Sequence, residues 1–451
     1  MKRKTVYSIK FQKYLDDLDI HYCIVGNTSK YSENNNSDLD IVIYSDRLKN
    51  INNLIIEFSK KYQFKTVQKL QHEQNAFYFV LAGIDNRDEY YFMKLDVCGD
   101  YIRNGRLFLP AEKILKSRKK AVDDQGNGLD FYVPDDSVNF IYYLLKRIDK
   151  EDLSKTQTKF LSRQYHLDPE GCSREIKRYF PTYSDVLIKA SKTNNWTFVK
   201  KNLTELKGDI GHHARRTIPL LIGEIRRIIQ RIVKPTGLFV AFLGPDGSGK
   251  SSVAKLVGNQ MIPAFRRKET YHLRPHVFRF HKRLEEKPVK DPHNQSPRNK
   301  VVSFIKLICW VVDYLIGYVI EIYPRLVCST LVLFDRYYHD LLVDPRRYRY
   351  GGTRQFVKLV GKLIPQPDYW ILLDAPVEVI QDRKSEVSRA ELKRQRQAYK
   401  NLFESFPEGK YSMIDASQPL KDVVHDVEGV LLDHLERRTK ERMGESSHGE
   451  Y

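Results

Sequence analysis

Residues 244–251 read Gly-Pro-Asp-Gly-Ser-Gly-Lys-Ser, and an apolar run, Leu238-Phe239-Val240-Ala241-Phe242-Leu243, leads directly into them. Backbone N–H groups can wrap a polyphosphate only where side chains leave room, and glycine supplies that clearance. Gly244, Gly247 and Gly249 do so here, Lys250 can reach the outer phosphates, and Ser251 can hold Mg²⁺. Ser248 and Ser252 complete the candidate cofactor-binding set. A G-x-x-x-x-G-K-S loop that follows a strand and opens a stretch of helical character, 252–257, is far more specific than a lone glycine turn. It predicts ATP and Mg²⁺ as ligands.

A second group of candidates is acidic. Ile24-Val25-Gly26-Asn27 is followed by Ser37-Asp38-Leu39-Asp40-Ile41-Val42-Ile43, and Asp96 closes the apolar run 91–97. Strand alternation puts Asp38 and Asp40 on one face. Three such carboxylates suit two-metal chemistry, in which paired Mg²⁺ ions about 3.5–4 Å apart clamp an attacking and a leaving oxygen. Surface acids on an edge strand are the plain alternative. The arrangement resembles the nucleotidyltransferase signature, a glycine turn followed by D-x-D on a strand, with a third acid on a later strand. Asn27 stands where that family usually has Gly or Ser, and Asn34-Asn35-Asn36 make an unusual intervening loop. Catalysis and a binding role both stay open for this domain.

The elements that must position these residues fall into three regions. Up to about residue 120, short β-rich runs (21–25, 39–44, 76–82, 90–97) surround one helical pattern, 51–60, with Ile51, Leu54, Ile55 and Phe58 on one side. From about 134 to 233 the pattern is mostly helical, and it stops at Lys234-Pro235-Thr236-Gly237. From 238 to about 438, strands at 238–243, 330–334, 369–373 and 411–414 alternate with helices. The expected fold is α/β multidomain: a nucleotidyltransferase-like α/β head (1–125), a helical connecting segment (130–234) and a doubly wound parallel sheet of P-loop kinase type (236–440), then a disordered tail (441–451). The stretch 266–300, rich in Lys, Arg, His and Pro, is expected to be mobile.

Read together, the motifs of the third region resemble the thymidylate kinase family. Beside the phosphate loop stand Leu331-Val332-Leu333-Phe334-Asp335-Arg336-Tyr337, Pro367-Asp368-Tyr369-Trp370-Ile371-Leu372-Leu373-Asp374 with Arg383-Lys384, and Ile414-Asp415-Ala416-Ser417. The resemblance implies phosphoryl transfer, which is mainly positioning plus neutralisation of charge on phosphoryl oxygens. Lys250 would hold the donor, Asp335 would orient Mg²⁺, and Arg336 would clamp an acceptor phosphate. Asp246 falls where the family meets the acceptor's sugar hydroxyl. Some members place an arginine directly after that acid; here it is Gly247, so Arg383 in a basic lid, 383–396, is the candidate replacement. Two departures concern the acceptor. Leu273-Arg274-Pro275-His276 stands where R-E-P-G-G is usual, and 338–348 replaces the usual serine-bearing continuation. The resemblance therefore implies a nucleoside monophosphate such as dTMP, or a related phosphorylated sugar or nucleotide precursor.

Composition bounds these readings. At 451 residues two or three domains are expected, and 41% hydrophobic with 12% aromatic residues suits compact domains rather than disorder. A formal charge of +19 points to anionic partners: nucleotides, phosphorylated metabolites or an anionic membrane face. The lack of a nucleic-acid motif argues against nucleic acid. Five scattered cysteines without a C-x-x-C pair indicate neither a disulfide framework nor a zinc site and fit the cytoplasm. His212-His213 reads as a solvated pair on a polar turn. The stretch 301–323 is very apolar, but Lys306, Asp313 and Glu321 interrupt the ~18–20 residues a span needs, so a buried amphipathic kinase-domain helix is expected. Membrane-surface contact and oligomeric state stay open. So do two other readings: a nucleotidyltransferase regulated by ATP through the kinase-like domain, and a non-enzymatic ATP-switched binder of nucleic acid or membrane surface.

Overall fold

The computed structural model describes residues 3–27, 38–122, 128–213, 215–277, 296–384 and 387–444. The chain divides into two compact units, Met1–Ile229 with Thr439–Tyr451, and Gln230–Arg438.

In the first unit, strands β1 (Tyr22–Ile24), β2 (Leu39–Ile43), β3 (Lys65–Glu73), β4 (Ala76–Ile84) and β5 (Tyr90–Cys98) form a sheet in the order β1-β2-β5-β4-β3. The β2/β5 pair is parallel and the other pairs are antiparallel. Smaller strands follow: β6 (Tyr101–Arg103), β7 (Arg106–Leu109), the β8/β9 hairpin (Arg118–Val122, Gly128–Pro134) and β10 (Arg215–Arg216). Helix Ile51–Tyr62 buries Ile51, Ile55 and Phe58 at helical spacing and ends at Gln63 in the left-handed conformation. Strand β3 was not expected, because only Val67 and Leu70 in it are aliphatic. It is held by a bulged register with β4 and by a 2.8 Å hydroxyl contact between Ser59 and Thr66. Helix Asp136–Asp149 is buried almost throughout and joins the helices of 155–210 in one core. His212 and His213 close helix Leu203–His213 rather than occupying a turn. Ser37 and Asn34-Asn35-Asn36 lie outside the described residues.

The second unit is built on β11 (Leu238–Leu243), β12 (Arg267–His272), β13 (Thr330–Asp335), β14 (Tyr369–Asp374) and β15 (Tyr411–Asp415), in the order β12-β13-β11-β14-β15. Every pair is parallel. Central β11 is buried at all six positions, as a strand covered on both faces must be. Part of the stretch expected to be mobile is thus edge strand β12. Its sequence, Arg-Lys-Glu-Thr-Tyr-His, has no apolar alternation because an edge strand needs little of it; residues 278–295 lie outside the described ones.

Helix Lys300–Gly317 continues helically to Val327 and is only half of what was expected. Leu307, Trp310, Val311 and Tyr314 enter the core, whereas Val301, Phe304, Ile305, Ile308, Val312 and Leu315 are exposed. Over 28 residues it is long and apolar enough, by length and composition alone, to cross a bilayer. Its charges turn inward: Asp313 is buried against Arg274, and the Lys306 ammonium lies 5.6 Å from the Trp310 ring centre. Residues 441–443, expected in a disordered tail, complete helix Leu420–Met443; 445–451 lie outside the described residues.

Candidate functional site

In an open parallel sheet, ligands bind beyond the carboxyl ends of the strands where the winding direction reverses. Here that point lies at β11, between β13 and β14, and β11 ends in the 244–251 loop. Gly244 has φ +145°, and a Cβ there would meet the Leu373 carbonyl oxygen at 2.4 Å. Gly249, at φ +87°, opens helix Lys250–Gln260 in the left-handed conformation. The loop backbone therefore needs glycine, and the helix N-terminus behind it favours anions. Lys250 is buried and donates to the carbonyls of Gly244 (2.8 Å) and Pro245 (2.7 Å); burial lowers its pKa. Ser248 Oγ is buried and makes no hydrogen bond, leaving a donor for an anion within the loop.

Asp335 ends β13. Its Oδ2 accepts from Ser251 Oγ at 2.5 Å, and its Oδ1 is buried with no hydrogen bond. Burial pushes the Asp335 carboxyl up, but His272, Ser251 and Lys250 outweigh this and hold it below the ordinary range. An ionised carboxylate with one oxygen unmet, beside a serine hydroxyl, is a hard-oxygen donor pair that fits Mg²⁺.

Arg336 follows with φ +71°, a conformation unfavourable for arginine, pinned by its N–H to the Phe242 carbonyl at 3.0 Å. Its guanidinium spans two acids, Asp340 at 2.6 Å and Asp246 in the phosphate loop. Fully buried Asp340 also accepts from Tyr348 (2.5 Å) and Tyr399. Burial disfavours the Arg336 charge, and Asp340, Tyr348 and Tyr399 reverse that, so it stays firmly protonated. The other Asp246 oxygen meets Arg347. Asp340, Arg347, Tyr348 and Tyr399 escaped sequence reading; the only available signal was the departure of 338–348 from the usual pattern.

The lid candidates are engaged elsewhere. Arg383 donates to the Ala416 carbonyl at 2.8 Å, in the loop after β15. Arg389 pairs with Glu378 and Arg394 with Glu391, while Arg396 forks onto Asp374 at 2.7 and 2.9 Å. Arg274 is buried against Asp313 and lies 5.0 Å from the Trp310 ring centre.

In the first unit, parallel register sets Asp40 beside Asp96. Burial, then the Asp40 charge, pushes the Asp96 carboxyl up to about 7. Lys146, from helix Asp136–Asp149, donates to Asp40 at 3.1 Å. Asp38 is turned to Tyr78 (3.2 Å) and Lys94 (3.7 Å). Among the described residues no group of three or more His, Cys, Asp or Glu side chains is arranged to hold a metal ion. Two of the three expected ligands are thus side by side, with a lysine as their cation. Asn139, also missed, clasps the glycine turn through Gly26 N–H (2.8 Å) and C=O (3.1 Å).

The all-parallel sheet, its reversal point and the glycine loop define a P-loop α/β domain, consistent with a kinase fold. No protein-family model matches the chain. A probable thymidylate kinase from Pyrobaculum aerophilum is 28% identical over 200 residues, covering 42% of this chain and 93% of that protein. A thymidylate kinase from Limosilactobacillus reuteri is 22% identical over 213 residues, covering 44% and 97% respectively. Among solved structures, the thymidylate kinase from Ehrlichia chaffeensis matches at 17% identity with a TM-score of 0.33, over 44% of this chain and all of that one. Homology to thymidylate kinases therefore extends over about 44% of the chain.

Proposed function

We propose that the second unit transfers the γ-phosphoryl group of ATP to the phosphate of a nucleoside monophosphate or related phosphorylated precursor, with dTMP the first acceptor to test. The observation that carries this reading is the Ser251–Asp335 pair beside the glycine loop, with Asp335 Oδ1 buried and unmet. The curated relatives favour the same chemistry. An acceptor phosphate oxygen attacks the γ-phosphorus, the bond to the β–γ bridging oxygen breaks, and ADP leaves. Lys250 and the loop amides hold the donor phosphates, Ser251 and Asp335 would hold Mg²⁺, and Arg336 positions the acceptor. When bound, Mg²⁺ neutralises phosphate charge. Arg383 is assigned to the lid beside the nucleotide, and the five free cysteines favour a cytoplasmic setting.

The first unit is read as nucleotidyltransferase-like, with Asp38, Asp40 and Asp96 as its acids. The Lys146 contact favours a second reading for this unit, a nucleotide-binding module in which a lysine ammonium takes the place of a metal ion.

ADP release by the full chain, measured against a panel of nucleoside monophosphates and phosphosugars, tests the kinase reading. Turnover with one acceptor and its loss in Lys250→Ala are expected; turnover intact in that variant would overturn it. Asp38→Asn with Asp40→Asn tests the first unit: nucleotidyl product unchanged in that variant removes it as a catalyst.

A further inference from the structure

The acceptor side of the phosphate loop holds a cation that no sequence motif announced. Asp246 is gripped from both sides: Arg336 Nη2 reaches one carboxylate oxygen and Arg347 Nη1 the other. Arg347 belongs to the segment 344–353, between helices Asp340–Val343 and Arg354–Gly361. Its backbone is tied down on each side. The Arg347 N–H donates to buried Asp344 at 3.2 Å, and Asp344 accepts from Gln395 at 3.2 Å. The next residue, Tyr348, is anchored on buried Asp340 at 2.5 Å. The segment is thereby folded so that the Arg347 guanidinium arrives at the phosphate loop, with its side chain still 23% exposed.

The two guanidinium groups face two carboxylates, Asp246 and Asp340, so the cluster is neutral as it stands and becomes net positive only where Asp246 moves off the arginines. Each guanidinium is a planar fork suited to two oxygens of a carboxylate or phosphate. Arg336 is already committed to Asp340 through its other arm, so Arg347 is the more available of the two. The loop position next to Asp246 is Gly247, which brings no charge, and the lid arginines are engaged with Ala416, Glu378, Glu391 and Asp374.

We propose that Arg347 is the second half of an acceptor clamp: with Arg336 it binds the phosphate of a phosphomonoester, and the Asp246 carboxylate occupies that clamp in its absence. This rests on the kinase reading and deepens it, because it makes phosphate recognition, rather than recognition of a sugar hydroxyl or base, the main selector of the acceptor.

The test is calorimetric titration of the full chain with ADP, inorganic phosphate, dTMP and thymidine, for wild type, Arg347→Ala and Arg347→Lys. Wild type should bind phosphate and dTMP but thymidine far more weakly. Arg347→Ala should weaken phosphate and dTMP by about 10- to 100-fold, the range for charged hydrogen bonds, with ADP affinity unchanged. Arg347→Lys, which keeps the charge and loses the fork, should fall between and also guards against misfolding of the alanine variant. Equal phosphate and dTMP affinity in wild type and Arg347→Ala would overturn the clamp. So would an equal loss of ADP binding, or a wild type that binds ADP but neither phosphate nor dTMP. Failure of wild type to bind ADP at all would instead sink the kinase reading.

Discussion

Asp335 and Asp96 are both acids on parallel strands, one in each unit, and their surroundings treat them oppositely. Asp335 stands against Ser251, His272 and Lys250, which overcome burial and keep it ionised with one oxygen unmet. Asp96 stands against burial and a second carboxylate, which push it up to about 7, and the local cation is the protein's own Lys146. One site is left with an unsatisfied acceptor; the other is balanced internally. A carboxylate's place on a strand therefore does not determine its chemistry. The neighbour delivered from another element does.

The comparison can be broken most sharply at Lys250. If the Asp335 side is the working one, Lys250→Ala should cut ADP formation by at least about 10²-fold, as loss of a charge-stabilising donor does, without unfolding the chain by circular dichroism.

Next in size is Asp340→Asn. It takes one of two carboxylates from buried Arg336 and the charged acceptor from Tyr348 and Tyr399, which should cost about 3–5 kcal/mol. In a unit of this size that is a fall in melting temperature of about 6–20 °C, read by calorimetry; a shift under 2 °C would mean that the existing Asp246 contact is enough to hold Arg336.

Acid should then distinguish the units. Burial beside Trp370 and Phe406 drops His339 to about 4, while an unfolded histidine ionises near 6.5. The stability from keeping it neutral is complete above about pH 6.5 and is lost as pH falls from 6.5 through 4, on the order of 3 kcal/mol. His434, lowered to about 3 by burial first and then by Arg438 and Arg437, adds a second step of the same sign. His339→Phe should flatten the acid limb of the second unit's unfolding curve; an unchanged limb would show that the ring titrates normally.

The smallest effect is expected at Lys146→Met. Asp40 is partly solvated, so the loss should be about 1–2 kcal/mol in the first unit, and added Mg²⁺ should stabilise the variant more than the wild type. Equal stabilisation of both would mean that Lys146 does not stand in for a cation.

Much of this was legible beforehand. The 244–251 loop announces itself because its glycines, lysine and serine act through local backbone geometry. The three interior strands of the second unit, β13, β11 and β14, read clearly because burial on both faces demands continuous apolar runs. Strand β12 did not, since an edge strand can be polar, and β3 was obscured by its bulges and polar composition. Helix Lys300–Gly317 was anticipated on its core-facing side only, because apolar composition cannot say which of its faces finds a partner: Trp310 and Tyr314 did, Phe304 and Ile308 are exposed.

Residue order alone determined the phosphate loop, the strand ahead of it and the positions of Asp335 and Arg336, because these depend on contacts between near neighbours in the chain. Only tertiary structure decided what those groups face: Asp340, Tyr399 and Arg347 around Arg336 and Asp246, and Lys146 beside Asp40. Charge–charge and hydrogen-bond energies depend on separation and burial in space, and residues 59 or 106 positions apart carry no mark in sequence that they will meet.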